Sequence, residues 1–260
     1  MGGARDLVNV VVFVKYVPDP QGTPELGPDN LLMRGGDGAL DPGDEYGVEL
    51  GLRLAESSGG RASVVSMGPE GAATAVQRAL AMGADEGTLV SDAALRGADA
   101  LATARVLAAA AGRLEFDLAI AGVESTDGYT GTVPVTVGEF LGIPSVTAVR
   151  DLELEDGGIR IERQTESGTE VVEAPLPAIV TVTAGAVEPR YPSLKGIMGA
   201  RRKTLERLSL ADLGIDAALV ESTQAVVEVS DVPAKAAGEV VGAEAAVGRI
   251  VDLLVEAKVL

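Results

Sequence analysis

The stretch Arg61-Ala-Ser-Val-Val-Ser-Met-Gly-Pro-Glu-Gly-Ala-Ala-Thr-Ala-Val-Gln-Arg-Ala-Leu-Ala-Met-Gly-Ala-Asp-Glu-Gly-Thr-Leu-Val90 decides the fold class. Arg61 to Met67 reads as a strand, Pro69 to about Met82 as a helix, and Gly87 to Val90 as a strand again. A strand, helix and strand in so short a span favour a right-handed crossover between parallel strands.

The same alternation extends in both directions. Upstream, Val8 to Val14 is a β-rich run, and Asp44 to Ser57 has helical spacing through Val48, Leu50 and Leu54. Downstream, Asp99 to Ala111 reads as an Ala-rich helix, Asp117 to Ala121 as a fourth strand and Gly131 to Leu141 as a further helix. After that the pattern changes. Ser145 to Leu154, Gly158 to Gln164 and Thr169 to Ala174 are strand runs separated by Asp156-Gly157 and Ser167-Gly168, which predicts an antiparallel meander closed by Ala178 to Thr183. Leu208 to Leu213 reads as a turn or short helix, and Gln224 to Ala237 lacks periodicity. Ala243 to Val255 recovers amphipathic helical spacing. The expected fold is α/β: a Rossmann-like open parallel sheet with helices on both faces, added antiparallel strands, and a C-terminal arm with a helix. Residues 1–205 are expected to form the α/β domain with its antiparallel extension and a basic loop at 188–203, and residues 206–260 an extended arm and helix that docks either back on its own domain or on a second subunit.

Composition narrows the chemistry. The chain has 260 residues, 47% of them hydrophobic, enough to bury a full core. It has no cysteine and no histidine, so disulfides, thiolate ligands and the commonest general base are excluded, and metal-centred catalysis is disfavoured. A formal charge of -18 opposes nucleic acid and anionic membrane as main partners. No run is long and apolar enough for a membrane span, and Met1 to Leu7 leads into the first strand without a signal-like segment, so a cytoplasmic location is expected. Arginine outnumbers lysine, and acidic residues outnumber both. That balance accords with a salt-adapted host or with codon usage.

Two segments carry functional signals. In an open parallel sheet, ligands bind beyond the carboxyl ends of the strands where the direction of connection reverses. Here that points to the loops after the first and fourth strands, Lys15 to Asp44 and Ala121 to Gly131. The second is rich in glycine and leads into a helix. Its backbone N–H groups can meet a phosphate, with hydroxyls from Thr130 and Thr132. The loop contains no Lys or Arg, and the chain lacks a P-loop, so a monophosphate fits better than a triphosphate with magnesium. An ordinary strand-to-helix connection is the plainer alternative. Asp41, Asp44 and Glu45 resemble an acid/base cluster, but Pro42 before Asp44 at a helix start is more simply a capping arrangement. Asp41 is also a candidate for a ribose or adenine contact.

The other segment is Glu188-Pro-Arg-Tyr-Pro-Ser-Leu-Lys-Gly-Ile-Met-Gly-Ala-Arg-Arg-Lys203. Pro189, Pro192 and Gly196 are expected to stop regular structure, with a short basic helix beginning near Ile197. Arg190, Lys195, Arg201, Arg202 and Lys203 oppose the global charge, and Leu194 is set as an apolar anchor between rigidifying residues. The plainer alternative is a solvated loop.

Leu176 to Thr183 followed by Glu188 to Met198 resembles the motif of the electron transfer flavoprotein beta subunit. The likeness extends to Val14-Lys15, Val17-Pro18-Asp19, Leu40 to Glu45, Ser66 to Pro69, Ala79 to Asp85 and Glu124 to Gly128. The resemblance implies a non-catalytic electron-carrier subunit in a heterodimer with an alpha subunit that holds most of the FAD contacts. It implies AMP in this chain's crevice, with Phe13, Asp41, Pro42, Gly43, Asp44 and Met67 at matching positions. The matching loop is Gly122, Val123, Glu124, Ser125, Thr126 and Asp127, continuing through Gly128, Tyr129, Thr130, Gly131, Thr132 and Val133. It implies docking of acyl-CoA-type dehydrogenases on Arg190, Tyr191, Leu194, Ile197, Met198, Arg201, Arg202 and Lys203, with electrons passing through FAD to a quinone oxidoreductase. It also implies a C-terminal arm embracing the alpha subunit. Two departures stand out: Thr132 where many relatives have Gln, and Gln164 where relatives often carry a Glu that pairs with the moving flavin domain. An electron-bifurcating subunit with a second FAD in place of AMP is one alternative. A stand-alone adenine-nucleotide sensor is another.

Overall fold

A computed structural model describes residues 7–19, 21–34, 37–230, 238 and 240–260. Two compact units follow one another in the chain, Met1–Val226 and Val227–Leu260.

In the first unit a nine-stranded sheet is built from β1 (Val10–Phe13), β4 (Ala62–Met67), β5 (Glu86–Val90), β6 (Leu118–Gly122), β7 (Ser145–Glu155), β8 (Gly158–Thr165), β9 (Gly168–Pro175), β10 (Ala178–Val182) and β11 (Leu205–Leu208). A small antiparallel pair, β2 (Tyr16–Pro18) and β3 (Gly38–Leu40), stands apart from it. The strand order is β11-β5-β4-β1-β6-β10-β7-β8-β9. All pairs from β11 to β7 are parallel, and β8 and β9 add antiparallel. The expected α/β architecture is therefore present.

Every residue of β1, β6 and β10 is buried, as strands covered on both faces must be. Val10 and Val12 enter one core, on the side of α1 (Pro42–Ser58) and α2 (Ala73–Met82). Val11 and Phe13 enter the other, on the side of α3 (Ala100–Ala111) and α4 (Val133–Leu141). The period of two along β1 thus joins the two cores through one strand.

Three details differ from the sequence reading. Ala178–Val182 does not close the meander at its edge; β10 lies inside the parallel sheet, between β6 and β7. All five of its residues are buried and four are apolar, whereas an edge strand would show a wet face. Leu205–Leu208 is a strand, β11, bonded to β5. Gly196 does not stop regular structure but lies within α5 (Leu194–Ala200), which starts where the Ser193 hydroxyl accepts from the Gly196 N–H at 3.0 Å.

The second unit contains α6 (Ala243–Glu256), none of whose side chains is buried. The expected arm over Gln224 to Ala237 falls partly outside the described residues, as do Met1 to Asp6.

Candidate functional site

Strand order puts β1 beside β6, and the chain leaves β1 toward β4 and β5 on one side while β6 and β10 lie on the other. Connections reverse between β1 and β6, where a parallel sheet opens a crevice at its carboxyl edge. The loops after these two strands are fastened together by carboxylates from the start of α1.

Asp41 is the N-cap of α1, with Pro42 in its first turn. Its Oδ1 accepts from the Gly43 N–H at 2.8 Å. Its Oδ2 accepts from the Thr126 N–H at 2.7 Å and the Thr126 hydroxyl at 2.8 Å. The side chain is fully buried, so both oxygens are engaged inside the protein. Capping is thus what the geometry gives Asp41, together with a tether to the loop after β6 that has no local sequence signature. One turn on, Asp44 accepts from the Lys15 N–H at 2.7 Å and the Gly122 N–H at 3.3 Å, joining the ends of β1 and β6. Burial, and then the neighbouring Asp41 carboxyl, push the Asp44 carboxyl up to about 8.

That shift has a sign. A carboxyl whose folded pKa lies above its unfolded value favours folding when protonated; the contribution is complete below the unfolded value and is lost as pH rises through about 8. Stability of the wild-type chain is therefore expected to fall between about pH 4 and 8 by more than in Asp44→Asn, which carries no titrating group there. Asn turns an N–H toward one of the two donors at a cost of about 1–3 kcal/mol. Urea unfolding across this pH range checks the prediction, and parallel pH profiles for the two proteins would refute it.

The loop itself is shaped by positive φ at Tyr129 (48°) and Gly131 (61°). A side chain at Gly131 would meet only ordinary contacts, so what the position needs is glycine's conformational freedom. Glu124, Gly128, Tyr129, Thr130 and Thr132 face solvent, whereas Val123, Ser125, Thr126 and Asp127 are half-buried. Thr132 is the N-cap of α4 but makes no side-chain capping bond, and Pro134 follows. The helix thus opens with first-turn amides free of a side-chain cap, at the positive end of its dipole. Phe13 is buried in the core toward α3 and α4, and Met67 packs against the same core.

Sequence reasoning missed two cations here. Lys15 Nζ donates to Ser125 Oγ at 3.0 Å and to Asp127 Oδ1 at 2.7 Å, and the Arg34 guanidinium meets Asp127 Oδ2 at 2.5 Å. Burial pushes the Asp127 carboxyl up, but Lys15 and Arg34 outweigh it and hold the group below the usual carboxylate range. The loop has no cation of its own, yet two reach it from the β1 side of the crevice, and both are paired with Asp127. Lys15 follows a strand and could have been noticed. Arg34 lies in a long connection without any periodic signal.

The residues read as a docking loop lie against α1 and α2. Tyr191, Leu194, Ile197 and Met198 are exposed, with Leu194 75% accessible, and Arg201 and Arg202 are also exposed. Arg190 and Lys203 instead turn inward. Arg190 is bonded to Glu49 and Glu56 of α1, and the Lys203 ammonium donates to the carbonyls of Leu80, Gly83 and Ala84 at the end of α2. Among the described residues no group of three or more acidic side chains is placed to hold a metal ion, and no helix is long and apolar enough to cross a membrane.

Residues 30–213 match the electron transfer flavoprotein domain family. Over 266 aligned residues the chain is 38% identical to the protein named electron transfer flavoprotein subunit beta of Mycobacterium tuberculosis (strain ATCC 25618 / H37Rv), covering 98% of this chain and 100% of that one. The chain belongs to the electron transfer flavoprotein beta-subunit family. The Bacillus subtilis (strain 168) protein of the same name is 34% identical over 257 residues, covering 97% of this chain and all of the other. The one from Megasphaera elsdenii is 30% identical over 273 residues with the same coverage. In the terms of this family, the crevice between β1 and β6 and the apolar tip at 191–198 are separate regions of one beta subunit.

Proposed function

We propose that this chain is the beta subunit of a heterodimeric electron transfer flavoprotein. In this reading it binds a structural AMP in the crevice and partners an alpha subunit holding most of the FAD. It docks acyl-CoA-type dehydrogenases, from which electrons pass through FAD to a quinone oxidoreductase. The observation that carries the AMP assignment is the crevice between β1 and β6, with the loop Gly122 to Thr132 drawn over it by Asp41 and Asp44 and leading into the uncapped start of α4. Backbone amides at a helix start suit one phosphate group. Lys15 and Arg34, already paired with Asp127, do not supply the unpaired positive charge that a polyphosphate favours. AMP contributes binding and loop order there; the FAD supplies the redox chemistry.

The proposed alpha-subunit contact is supported by α6. Val247, Ile250, Val251 and Leu254 recur at helical spacing, and no side chain of that helix is buried. The apolar tip at Tyr191, Leu194, Ile197 and Met198 supports dehydrogenase docking, because exposed clustered apolar side chains mark interaction surfaces.

Copurification of the chain with its alpha subunit, without added nucleotide, followed by mass spectrometry of the released small molecules, tests this reading. AMP at about one per heterodimer, beside FAD, is the expected result. FAD at two per heterodimer would replace AMP with the bifurcating arrangement. A stable homodimer that takes no alpha subunit would favour a stand-alone sensor.

A further inference from the structure

The docking segment is held at both ends by buried chemistry. At its start, the Glu49 carboxylate, on α1 and only 2% exposed, accepts from Arg190 at Nε (2.7 Å), at Nη2 (3.3 Å) and at the backbone N–H (3.2 Å). Arg53 Nε also donates to Glu49 at 2.6 Å, and its Nη2 donates to the Glu188 carbonyl at 3.1 Å. Arg190 completes its fork on Glu56 at 2.6 and 3.0 Å. At the other end, the Lys203 ammonium closes on three carbonyls at the end of α2, where the helix dipole favours a cation. Between the two anchors, α5 lies on α2 so closely that a Cβ on Gly196 would sit 2.4 Å from the Ala81 carbonyl oxygen. The exposed tip therefore rides on a segment anchored at both ends.

We propose that Glu49 is a positioning residue for donor docking: by locking Arg190 onto α1, opposite the Lys203 anchor on α2, it holds the apolar tip around Leu194 ready-formed for the dehydrogenase. This rests on the reading of that tip as the docking surface. Two of the cations in the basic cluster are thereby engaged within the protein, which leaves Lys195, Arg201 and Arg202 as the charges without such an anchor for a partner to meet. A segment ordered before contact loses less conformational entropy on binding, so the anchors raise affinity without touching the partner. Glu49 can do this because two guanidinium groups satisfy its buried charge; Gln in its place keeps the shape and cannot pair with Arg190 as an ion.

The test uses the assembled flavoprotein with its alpha subunit and FAD, reduced by an acyl-CoA dehydrogenase under steady-state conditions. Glu49→Gln is expected to raise the apparent KM for the flavoprotein about five- to tenfold, with kcat within about twofold. FAD absorbance and nucleotide content are expected to stay the same, with faster amide exchange over residues 191–199. Because the anchor acts through geometry, the rise in KM should persist at high ionic strength, whereas the effect of Arg201→Gln with Arg202→Gln should fade with salt. If Glu49→Gln fails to assemble, Lys203→Met, which frees the other end, decides with the same readouts. Leu194→Ala separates the two ideas. If it raises KM while Glu49→Gln and Lys203→Met leave KM and exchange at wild-type values, the positioning role is overturned and the docking surface stands. If Leu194→Ala itself has no effect, the docking reading falls, and the positioning role with it.

Discussion

Asp41→Ala is expected to lower stability by about 2–4 kcal/mol and to abolish nucleotide retention while leaving dehydrogenase docking intact. One substitution removes the N-cap of α1, which by itself costs about 0.5–2 kcal/mol, and strips the acceptor of the half-buried Thr126 N–H and hydroxyl. A donor left without a partner adds up to about 1–3 kcal/mol, less where water reaches it. Losing the tether also frees the loop after β6, so the amides proposed to meet a phosphate no longer share one geometry. Asp41→Asn separates the contributions, because one oxygen remains to accept while the amide N–H₂ faces a donor; an intermediate loss is expected. Urea unfolding of the purified heterodimer and mass spectrometry of its nucleotide content give the two readouts. Wild-type stability in the alanine variant would show that the cap and tether contribute nothing.

Gly196→Val is expected to do the reverse. The atom nearest an added Cβ is a backbone oxygen of α2 rather than the end of a flexible side chain, so α5 itself must move. Overpacking of this kind costs about 1–3 kcal/mol. The displaced helix carries Leu194, Ile197 and Met198 with it, so electron transfer from the donor dehydrogenase should weaken by tenfold or more, by roughly the factor that 1.4 kcal/mol gives. AMP content should stay unchanged, since α1 and the crevice are untouched. Gly196→Ala brings the same Cβ with less bulk and should fall between. A valine variant with unaltered donor kinetics would mean that the packing of α5 on α2 does not set the docking tip.

What could be read from the chain, and what could not, follows from the range of the interactions. Val8 to Val14, Arg61 to Met67 and Asp117 to Ala121 declare themselves because a strand buried on both faces is predominantly apolar, and the helices between them carry their own periodicity. Tyr16–Pro18, Gly38–Leu40 and Leu205–Leu208 are too short for any pattern to emerge; only their partners define them as strands. The caps at Asp41 and Ser193 obey local rules, so a cap at the start of α1 was legible, although the pattern centred it on Asp44 and the structure gives it to Asp41. Its bond to Thr126, and the meeting of Lys15 and Arg34 on Asp127, join residues far apart in the chain and leave no trace in sequence spacing. The basic cluster misleads for a related reason. Charge counts make Arg190 and Lys203 look equivalent to Arg201 and Arg202, and only the placement of α1 and α2 shows that the first pair faces inward.

The nine-stranded sheet ends in β9 on one side and β11 on the other, and each edge offers a row of backbone groups to which another chain could add. Both edges carry exposed charges. Along β9, Glu170 and Glu173 are exposed and the strand finishes at Pro175, which has no N–H to give. On β11, Glu206 and Arg207 face water, in ion pairs with Arg113 and Glu70. An incoming strand would have to strip water from these charges, and on β9 it would meet the carboxylates of Glu170 and Glu173 on a chain that is itself strongly acidic. The outermost strands thus guard a large apolar sheet against edge-to-edge aggregation.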